Sequence, residues 1–295
     1  MQFCNRRTFL AALAAAAVAS PARAASSGND DRVAEANDRL AALEKRAGGR
    51  LGVAVIEADR GAQLAHRADE RFPMCSTFKL LACAAVLKLV DEGKENLERT
   101  IAYGPSDLLG YAPVMKAHVG DGGMRLADVC AAAIDFSDNT AANLILSVIG
   151  GPEGFTRFAR SLGDEKTRLD RNEPTLNTAI PGDERDTTTP LAMALDIQAA
   201  LVGDVLSEAS RQQLEAWLIA DKVGDKRLRA GLPPSWRIGD KTGSGDYGTA
   251  NVIGIIRPPG RAPLLAAVYY TGSDAPPEAL NAVHKEVGAI IAATF

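Results

Sequence analysis

The chain has 295 residues, 46% of them hydrophobic and 24% charged, so it is long and apolar enough to bury at least one sizeable core. Its formal net charge is −4 and its pI is about 5.5. This balance excludes the basic surface that nucleic-acid-binding proteins use, and we expect a globular protein without a nucleic-acid partner.

The N-terminal segment has the pattern of an export signal. Arg6 and Arg7 precede an apolar run over 10–18, and small residues lead up to Ala24. Because the run is too short to span a bilayer, we predict a signal peptide over 1–24 that is cleaved near Ala24. The paired arginines are typical of a twin-arginine signal, and an ordinary secretory signal is the alternative. Either one predicts a periplasmic protein with no membrane anchor after processing.

Three cysteines follow this segment, namely Cys75, Cys83 and Cys130. In an oxidising compartment one pair can form and one thiol is left over, and the spacing does not choose the pair. The chain has no Cys-x-x-Cys or His-x-x-x-His spacing, and its three histidines are scattered. We therefore expect no metal site and no cofactor.

Hydrophobic periodicity predicts strands at both ends of the chain and helices between them. The N-terminal part reads as a helix over 31–47, a strand over 51–56 and a turn at 59–61. Helical patterns then cover 76–92, 124–134, 140–149, 152–162, 190–201 and 207–220. Three more strands, over 236–241, 251–256 and 264–270, precede a closing helix over 277–294.

This layout predicts an α/β (α+β) fold in which both chain ends build an antiparallel sheet of about five strands, flanked by helices. We expect residues 25–74 and 220–295 to form this α/β lobe. Residues 75–219 should form an all-helical lobe, with an active site at the junction of the two. Within the helical lobe, residues 164–189 are polar and aperiodic, and a loop of that length in a compact chain is usually functional or disordered.

Ser76 and Lys79 lie at the start of the most apolar helical pattern. Residues three apart share one face of a helix, so the Lys79 amine can steer the proton of the Ser76 hydroxyl. The positive end of the helix dipole favours a developing anion there. A capping serine beside an unrelated lysine is the alternative, but Lys79 stands among apolar residues, where a solvated charge is not ordinarily placed.

Two further polar motifs stand out. Ser137-Asp138-Asn139 precedes a helical pattern, and on its own it is typical of a helix N-cap. The run from Lys241 to Gly245 follows a short strand; its glycines allow a ligand to approach the backbone, although a hairpin turn explains them equally well. It is not a phosphate-binding loop, because Asp240 separates Gly239 from Lys241.

In this order, the three motifs resemble the active-site signature of the penicillin-recognising serine enzymes. The run 171–177, Arg-Asn-Glu-Pro-Thr-Leu-Asn, resembles the loop of class A β-lactamases that holds a water with a glutamate and an asparagine. Most of the chain from about Arg32 onward follows this family. The resemblance implies a hydrolase that opens the β-lactam amide of penicillins and cephalosporins, confers β-lactam resistance, and works as a monomer on these small-molecule substrates.

The resemblance also implies residue roles. Ser76 is the nucleophile, Lys79 its activating neighbour, and Ser137 the relay of a proton to the β-lactam nitrogen. Glu173 and Asn177 hold the water that cleaves the acyl-enzyme, and either Lys79 or Glu173 is the base for acylation. The backbone N–H groups of Ser76 and Ser244 form the oxyanion hole. Substrate-binding side chains are Tyr111, Asn139, Lys241, Thr242 and Ser244.

Further positions follow from the same comparison. Arg171 and Asp186 match a pair that bridges the neck of the loop, and Cys83 and Cys130 match a disulfide of part of the family, which leaves Cys75 as the odd thiol. Many members carry a carboxylate-binding arginine on the strand after the lysine motif, where this chain has Ala250. Arg227 falls where other members supply that guanidinium, and we expect it to substitute.

Two alternatives use related parts. A D-alanyl-D-alanine peptidase shares the acylation residues but lacks the deacylating glutamate, so Glu173 and Asn177 disfavour it. A non-enzymatic β-lactam sensor should carry a membrane anchor or a signalling region, and no apolar segment long enough to span a membrane follows the signal. Preference among penicillins, cephalosporins and carbapenems depends on pocket shape and is not predicted.

Overall fold

The computed structural model describes residues 22–295. The predicted signal over 1–24 lies almost entirely outside these residues, so the signal and its cleavage stay predictions. The first helix, α1 (Ala22–Ala47), begins nine residues before the predicted start at 31. Among the helices of the described part, none is both long enough and apolar enough to cross a membrane.

A five-stranded antiparallel sheet joins the two ends of the chain. Its strands are β1 (Arg50–Glu57), β2 (Gly61–His66), β3 (Arg237–Gly245), β4 (Thr249–Arg257) and β5 (Leu264–Thr271), in the order β2-β1-β5-β4-β3. The N-terminal β1 pairs with the C-terminal β5 along its whole length, from Arg50 opposite Thr271 to Glu57 opposite Leu264. The predicted fold class and the origin of the sheet in both chain ends are confirmed.

Two strand details differ from the prediction. Strand β2 was not predicted beyond its turn, because residues 61–66 contain no β-branched or large aromatic side chain. The lysine motif does not follow β3 but belongs to it, since pairing with β4 continues through Ser244 opposite Ala250 to Gly245 opposite Thr249. Because β3 is an edge strand, its second edge is left to face the helical part of the molecule.

The two faces of the sheet are covered by different helices. Alternate side chains of β1 point to opposite faces: Val53 and Val55 pack with α1 and the closing helix α8 (Pro277–Thr294), whereas Ala54 and Ile56 pack into the core of the helical part. The sheet therefore forms the wall against which the helical part is placed.

The helical part contains six helices, which match the predicted segments to within two residues. They are α2 (Phe78–Asp91), α3 (Leu126–Asp135), α4 (Asn139–Ile149), α5 (Gly151–Ser161), α6 (Pro190–Leu201) and α7 (Glu208–Ala220). Helix α2 is the central one, and its residues from Phe78 to Leu87 are all buried. A small antiparallel ladder, Thr100–Ile101 with Met124–Arg125, precedes α3.

Residues 164–189 form a packed loop. The loop contains a 3-10 turn, Thr175–Asn177, and ends in a short strand, Thr187–Thr188, that pairs with Phe72–Pro73. At its neck, the Arg171 guanidinium forms an ion pair with Asp186, whose carboxylate also accepts the backbone N–H groups of Asp170 and Arg171. Polar contacts hold this segment in place, because it has no hydrophobic periodicity with which to pack as a helix or strand.

The expected disulfide between Cys83 and Cys130 is not formed, and this prediction is corrected. Cys75, Cys83 and Cys130 are all free and buried. The Cys83 Sγ atom is directed at the carbonyl oxygen of Cys130, at 3.9 Å, whereas a disulfide needs two sulfur atoms about 2.0 Å apart. The two thiols act as small apolar side chains between α2 and α3.

Candidate active site

The predicted nucleophile lies in a tight turn at the start of α2. Ser76 is the middle residue of the 3-10 turn Cys75–Thr77, and Cys75 has a left-handed φ of 46°. Strand β3 runs directly against this turn: a Cβ atom on Gly243 would lie 2.8 Å from the Met74 carbonyl oxygen and 3.2 Å from the Ser76 nitrogen. The missing side chain at Gly243 therefore lets the β3 backbone, with Ser244, approach Ser76.

Lys79 lies one helical turn after Ser76 and is fully buried. Its Nζ atom lies 3.0 Å from Oε1 of Glu173 and donates to Oδ1 of Asn139 at 2.7 Å and to the carbonyl oxygen of Ser137 at 2.9 Å. The Ser137 hydroxyl is 3.4 Å away. Burial lowers the pKa of Lys79, while the charge and hydrogen bond of Glu173 oppose this shift.

Glu173 comes from the loop and faces the nucleophile. The Ser76 hydroxyl donates to Oε1 of Glu173 at 3.2 Å, and Nδ2 of Asn177 donates to Oε2. The Oδ1 atom of Asn177 is buried and has no hydrogen-bond partner among the described residues. An acceptor buried beside a carboxylate is suited to a water that donates to both.

Asn143 is a further residue of this site, which the sequence analysis missed. From the second turn of α4, its Nδ2 donates to the Glu173 carbonyl oxygen at 3.0 Å, and its Oδ1 accepts the Glu173 N–H at 2.9 Å. Asn143 follows Asn139 by four residues, so both lie on one helix face. That spacing was the only signal in the sequence, and it did not indicate a contact 30 residues further along the chain.

In the Ser137-Asp138-Asn139 motif, the middle residue has a structural role and the two outer residues line the pocket. Asp138 is the helix cap: its carboxylate accepts the Ala141 N–H of α4 and also the N–H groups of Val114 and Met115, each at 3.0 Å. Ser137 has a left-handed φ of 56°, and it lines the pocket together with Asn139. The N-cap interpretation is thus correct for the middle residue alone.

Lys241 lies behind the pocket on β3 and is also fully buried. Its ammonium donates to the Thr242 carbonyl oxygen at 2.9 Å. Burial lowers the pKa of Lys241 to about 7, the nearby charges of Lys79 and Arg227 lower it too, and those of Asp221 and Asp240 raise it. This lysine is far less firmly held as a cation than an exposed one.

Arg227, which we expect to substitute for the carboxylate-binding arginine, contacts Ser244. Its Nη2 donates to the Ser244 hydroxyl at 2.6 Å, and its Nη1 donates to the carbonyl oxygens of Gly243 and Asn251 at 2.7 and 2.6 Å. Asn281, which the sequence analysis missed, accepts from Nε at 3.1 Å. Burial lowers the pKa of Arg227 to about 10, so it is cationic at neutral pH.

These residues surround a pocket of about 310 Å³. Its lining consists of Ser76, Tyr111, Ser137, Asn139, Val223, Arg227, Thr242, Gly243 and Ser244. Tyr111 stands at the mouth, 52% exposed, and Lys79, Glu173 and Lys241 are buried behind the lining. A larger cavity of about 750 Å³ lies on the far side of the loop, but none of the predicted nucleophile, base or proton-relay residues lines it.

The pocket can therefore support attack by a serine hydroxyl on an anionic substrate. It combines a serine hydroxyl that donates to a carboxylate, a buried lysine one helical turn away, a second serine, and cations on its β3 side. No three His, Cys, Asp or Glu side chains within residues 22–295 are grouped so that they could hold a metal ion.

Comparisons with known proteins agree with this geometry. A model of the β-lactamase enzyme family matches residues 35–295. The chain is 54% identical to β-lactamase CTX-M-8 of Citrobacter amalonaticus over 241 residues, which cover 81% of this chain and 82% of the relative. It is 48% identical to β-lactamase AST-1 of Nocardia asteroides, with 97% of this chain and 95% of the relative covered.

Solved structures give the same answer. An ancestral class A β-lactamase, GNCA, superposes with a TM-score of 0.87 at 60% identity and covers 88% of this chain and 100% of its own. The putative class A β-lactamase PenP of Rhodopseudomonas palustris superposes with a TM-score of 0.86 at 54% identity, covering 88% of this chain and 98% of its own.

Proposed function

The chain belongs to the class A β-lactamases and is an enzyme that hydrolyses β-lactams, and we propose that it does so through an acyl-enzyme on Ser76 that a water held by Glu173 and Asn177 cleaves. This activity confers β-lactam resistance. The contact between the Ser76 hydroxyl and Oε1 of Glu173 carries the proposal, because it places the nucleophile and the deacylating base at one point.

Acylation begins with attack of Ser76 Oγ on the β-lactam carbonyl carbon. The hydroxyl proton has two routes: directly to Glu173 Oε1 at 3.2 Å, or to Lys79, whose lowered pKa makes a neutral amine more accessible. The developing oxyanion accepts from the backbone N–H groups of Ser76 and Ser244, which the close approach of Gly243 brings together.

Ring opening requires a proton on the β-lactam nitrogen. Ser137 lines the pocket, and its hydroxyl lies 3.4 Å from the Lys79 ammonium. We assign the relay to this hydroxyl, which gives its proton to the nitrogen and takes one from Lys79. The amide C–N bond breaks, and the substrate stays attached to Ser76 as an ester.

Deacylation uses the loop. A water between Glu173 and Asn177 donates one proton to the Glu173 carboxylate as its oxygen attacks the ester carbonyl. The unpartnered Oδ1 of Asn177 supports this position for the water. The ester bond to Ser76 breaks, the serine recovers its proton, and the ring-opened product leaves.

Substrate recognition depends on charge. The carboxylate of the β-lactam lies against Thr242 and Ser244, Lys241 attracts it from behind the pocket lining, and Arg227 adds a second cation through Ser244. Asn139 binds the amide of the substrate side chain, and Tyr111 closes the mouth of the pocket. Neither the peptidase nor the sensor alternative gains an observation in its favour.

A mass-spectrometric experiment tests the covalent step. Wild-type enzyme mixed with a penicillin should consume it and show no lasting adduct, while Glu173→Ala should accumulate an adduct of the full drug mass. The adduct should map to the peptide that contains Ser76, and Ser76→Ala should show none. Normal turnover by Ser76→Ala would overturn the mechanism.

We also propose that the protein is exported to the periplasm as a monomer, with the segment ending near Ala24 removed. The pattern of Arg6 and Arg7 before an apolar run supports this. Replacing both arginines with lysine should abolish export by the twin-arginine route, which fractionation of cells checks directly.

A further inference from the structure

Two buried aspartates come together beside Gly224, and their charges act on Lys241. Asp240 precedes it on β3 and is 0% exposed, and Asp221, just after α7, is 3% exposed. Each has one satisfied oxygen: Oδ1 of Asp240 accepts from the Arg229 Nε, and Oδ1 of Asp221 accepts the Val223 N–H at 3.1 Å. The Oδ2 atom of each is buried without a hydrogen-bond partner among the described residues.

The two unpartnered oxygens face the same point. A Cβ atom built on Gly224 would lie 2.3 Å from Oδ2 of Asp240 and 2.5 Å from Oδ2 of Asp221. The two oxygens are therefore within about 5 Å of each other, and only a glycine fits beside them. Two full negative charges at this separation, away from water and without donors, would repel each other strongly.

We infer that Asp221 and Asp240 hold one proton between them, so that the pair presents a single negative charge near Lys241 and helps to keep its ammonium charged for the substrate carboxylate. They are positioning residues, since neither lines the pocket. The inference rests on the role proposed above for Lys241.

The charges around the pair agree with a single negative charge. Burial raises the pKa of Asp240 to about 7, with Arg229 opposing and Asp221 adding to the shift, and burial also raises the pKa of Asp221. The other charged or titratable groups that interact electrostatically with the pair or with Lys241 are Lys79, Cys83, Tyr111, Asp135, Asp225, Arg227 and Arg229, and Lys222 follows Asp221 in the chain.

A pair with one shared proton should respond to substitution in a non-additive way. In Asp221→Asn, the amide replaces the protonated acid and Asp240 keeps the single charge. We therefore expect the alkaline limb of the kcat/KM profile, measured with an anionic penicillin, to stay where it is in the wild type. In the double variant D221N/D240N the charge is gone, and the limb should move about one pH unit lower.

Infrared spectroscopy detects the proton on the Asp221–Asp240 pair independently of enzyme activity. At neutral pH the wild-type spectrum should contain a protonated-carboxyl C=O band that Asp221→Asn removes. Asp196→Asn is the positive control, because burial and the neighbouring Asp164 raise the pKa of Asp196 to about 9, so that we expect it to carry a proton at neutral pH. Glu57→Gln is the negative control and should leave the band unchanged: Glu57 also has a buried oxygen without a hydrogen-bond partner, but its carboxylate forms ion pairs with Arg60 and Arg261, and it lies on β1, three strands from β3.

The outcomes separate the two proposals. Equal bands in wild type and Asp221→Asn, together with a limb that moves in this single variant, would overturn the shared proton. A limb that stays in place in the double variant would overturn the positioning role. Failure of the proposed function would instead appear in the wild type, as absent turnover and no acylation of Ser76, and the infrared result would be unaffected.

Discussion

The turn that carries Ser76 and the loop that carries Glu173 reach the same pocket by different means. Ser76 begins a helix whose next ten residues are all buried, so apolar packing on every side sets its position. Glu173 lies in a segment without periodicity, where an ion pair at the neck and side-chain hydrogen bonds from Asn143 and Asn177 set its position. Many packed residues together set the position of Ser76, whereas a few polar contacts set the position of Glu173.

The largest expected effect separates the two halves of the reaction. Removing the Glu173 carboxylate in Glu173→Ala should lower the deacylation rate by about a thousandfold or more, because the water loses its base. Acylation should persist if Lys79 serves as base. Pre-steady-state kinetics with a chromogenic cephalosporin should then show a burst followed by almost no turnover. Equal loss of both steps would show that Glu173 is also the acylation base.

The neck of the loop comes next. Asp186→Ala leaves the Arg171 guanidinium without its partner and two backbone N–H groups without an acceptor, and breaking a buried pair costs about 3 kcal/mol or more. We expect a lower Tm and deacylation slowed more than acylation. Glu165→Ala is the control, since it removes the ion pair between the exposed Glu165 of the same loop and Arg160 and should change neither quantity measurably. Equal effects of the two variants would contradict this account.

Asn143 tests the loop from the helix side. Asn143→Ala removes the two hydrogen bonds that hold the Glu173 backbone, and a displacement of about 1 Å at a catalytic group can cost up to about a hundredfold in rate. Single-turnover experiments should place most of this loss in deacylation. Ser147→Ala is the matched control one turn further along the same helix: Ser147 is exposed and donates only within the helix, to the Asn143 carbonyl oxygen, and the rates of this variant should equal those of the wild type. A Ser147→Ala loss like that of Asn143→Ala would point to helix α4 as a whole.

A smaller, pH-dependent effect is expected from Lys241. Its protonated form attracts the substrate carboxylate, so kcat/KM should fall as the pH rises through its pKa of about 7, by up to tenfold per pH unit. A β-lactam whose carboxylate is esterified should lack this alkaline limb. The same limb for both substrates would assign it to another group.

The smallest effect concerns the buried contact between helices α2 and α3. Because Cys83 and Cys130 are free, a reducing agent should leave the Tm unchanged. A disulfide closing this 47-residue loop would stabilise the fold by about 4 kcal/mol, and its reduction would lower the Tm by several degrees. Thiol titration of the unfolded protein should find both cysteines free.

The same division explains what could be predicted. The sequence predicted helices α2 to α7 to within two residues, because an apolar pattern with a clear start and stop is a local signal. Strand β2 was missed for want of β-branched residues. The sequence analysis missed Asn143 and Asn281, because the sequence pattern of a polar residue on a helix is the same whether the residue faces solvent or contacts another segment. The disulfide was wrong because it came from likeness to other proteins, not from the environment of these thiols.

The amino-acid sequence by itself determined the order of the elements, the origin of the sheet in both chain ends, and the three motifs that mark the family. The elements depend on patterns among residues that are near in the sequence, and the motifs mark the family because all three rarely occur together in one chain by chance. Only the tertiary structure decided that Glu173 meets Ser76 across 97 residues of chain, that Arg227 reaches Ser244, and that the oxygens of two aspartates come together beside Gly224. Such contacts depend on distances between distant segments, which the packing of the whole fold sets.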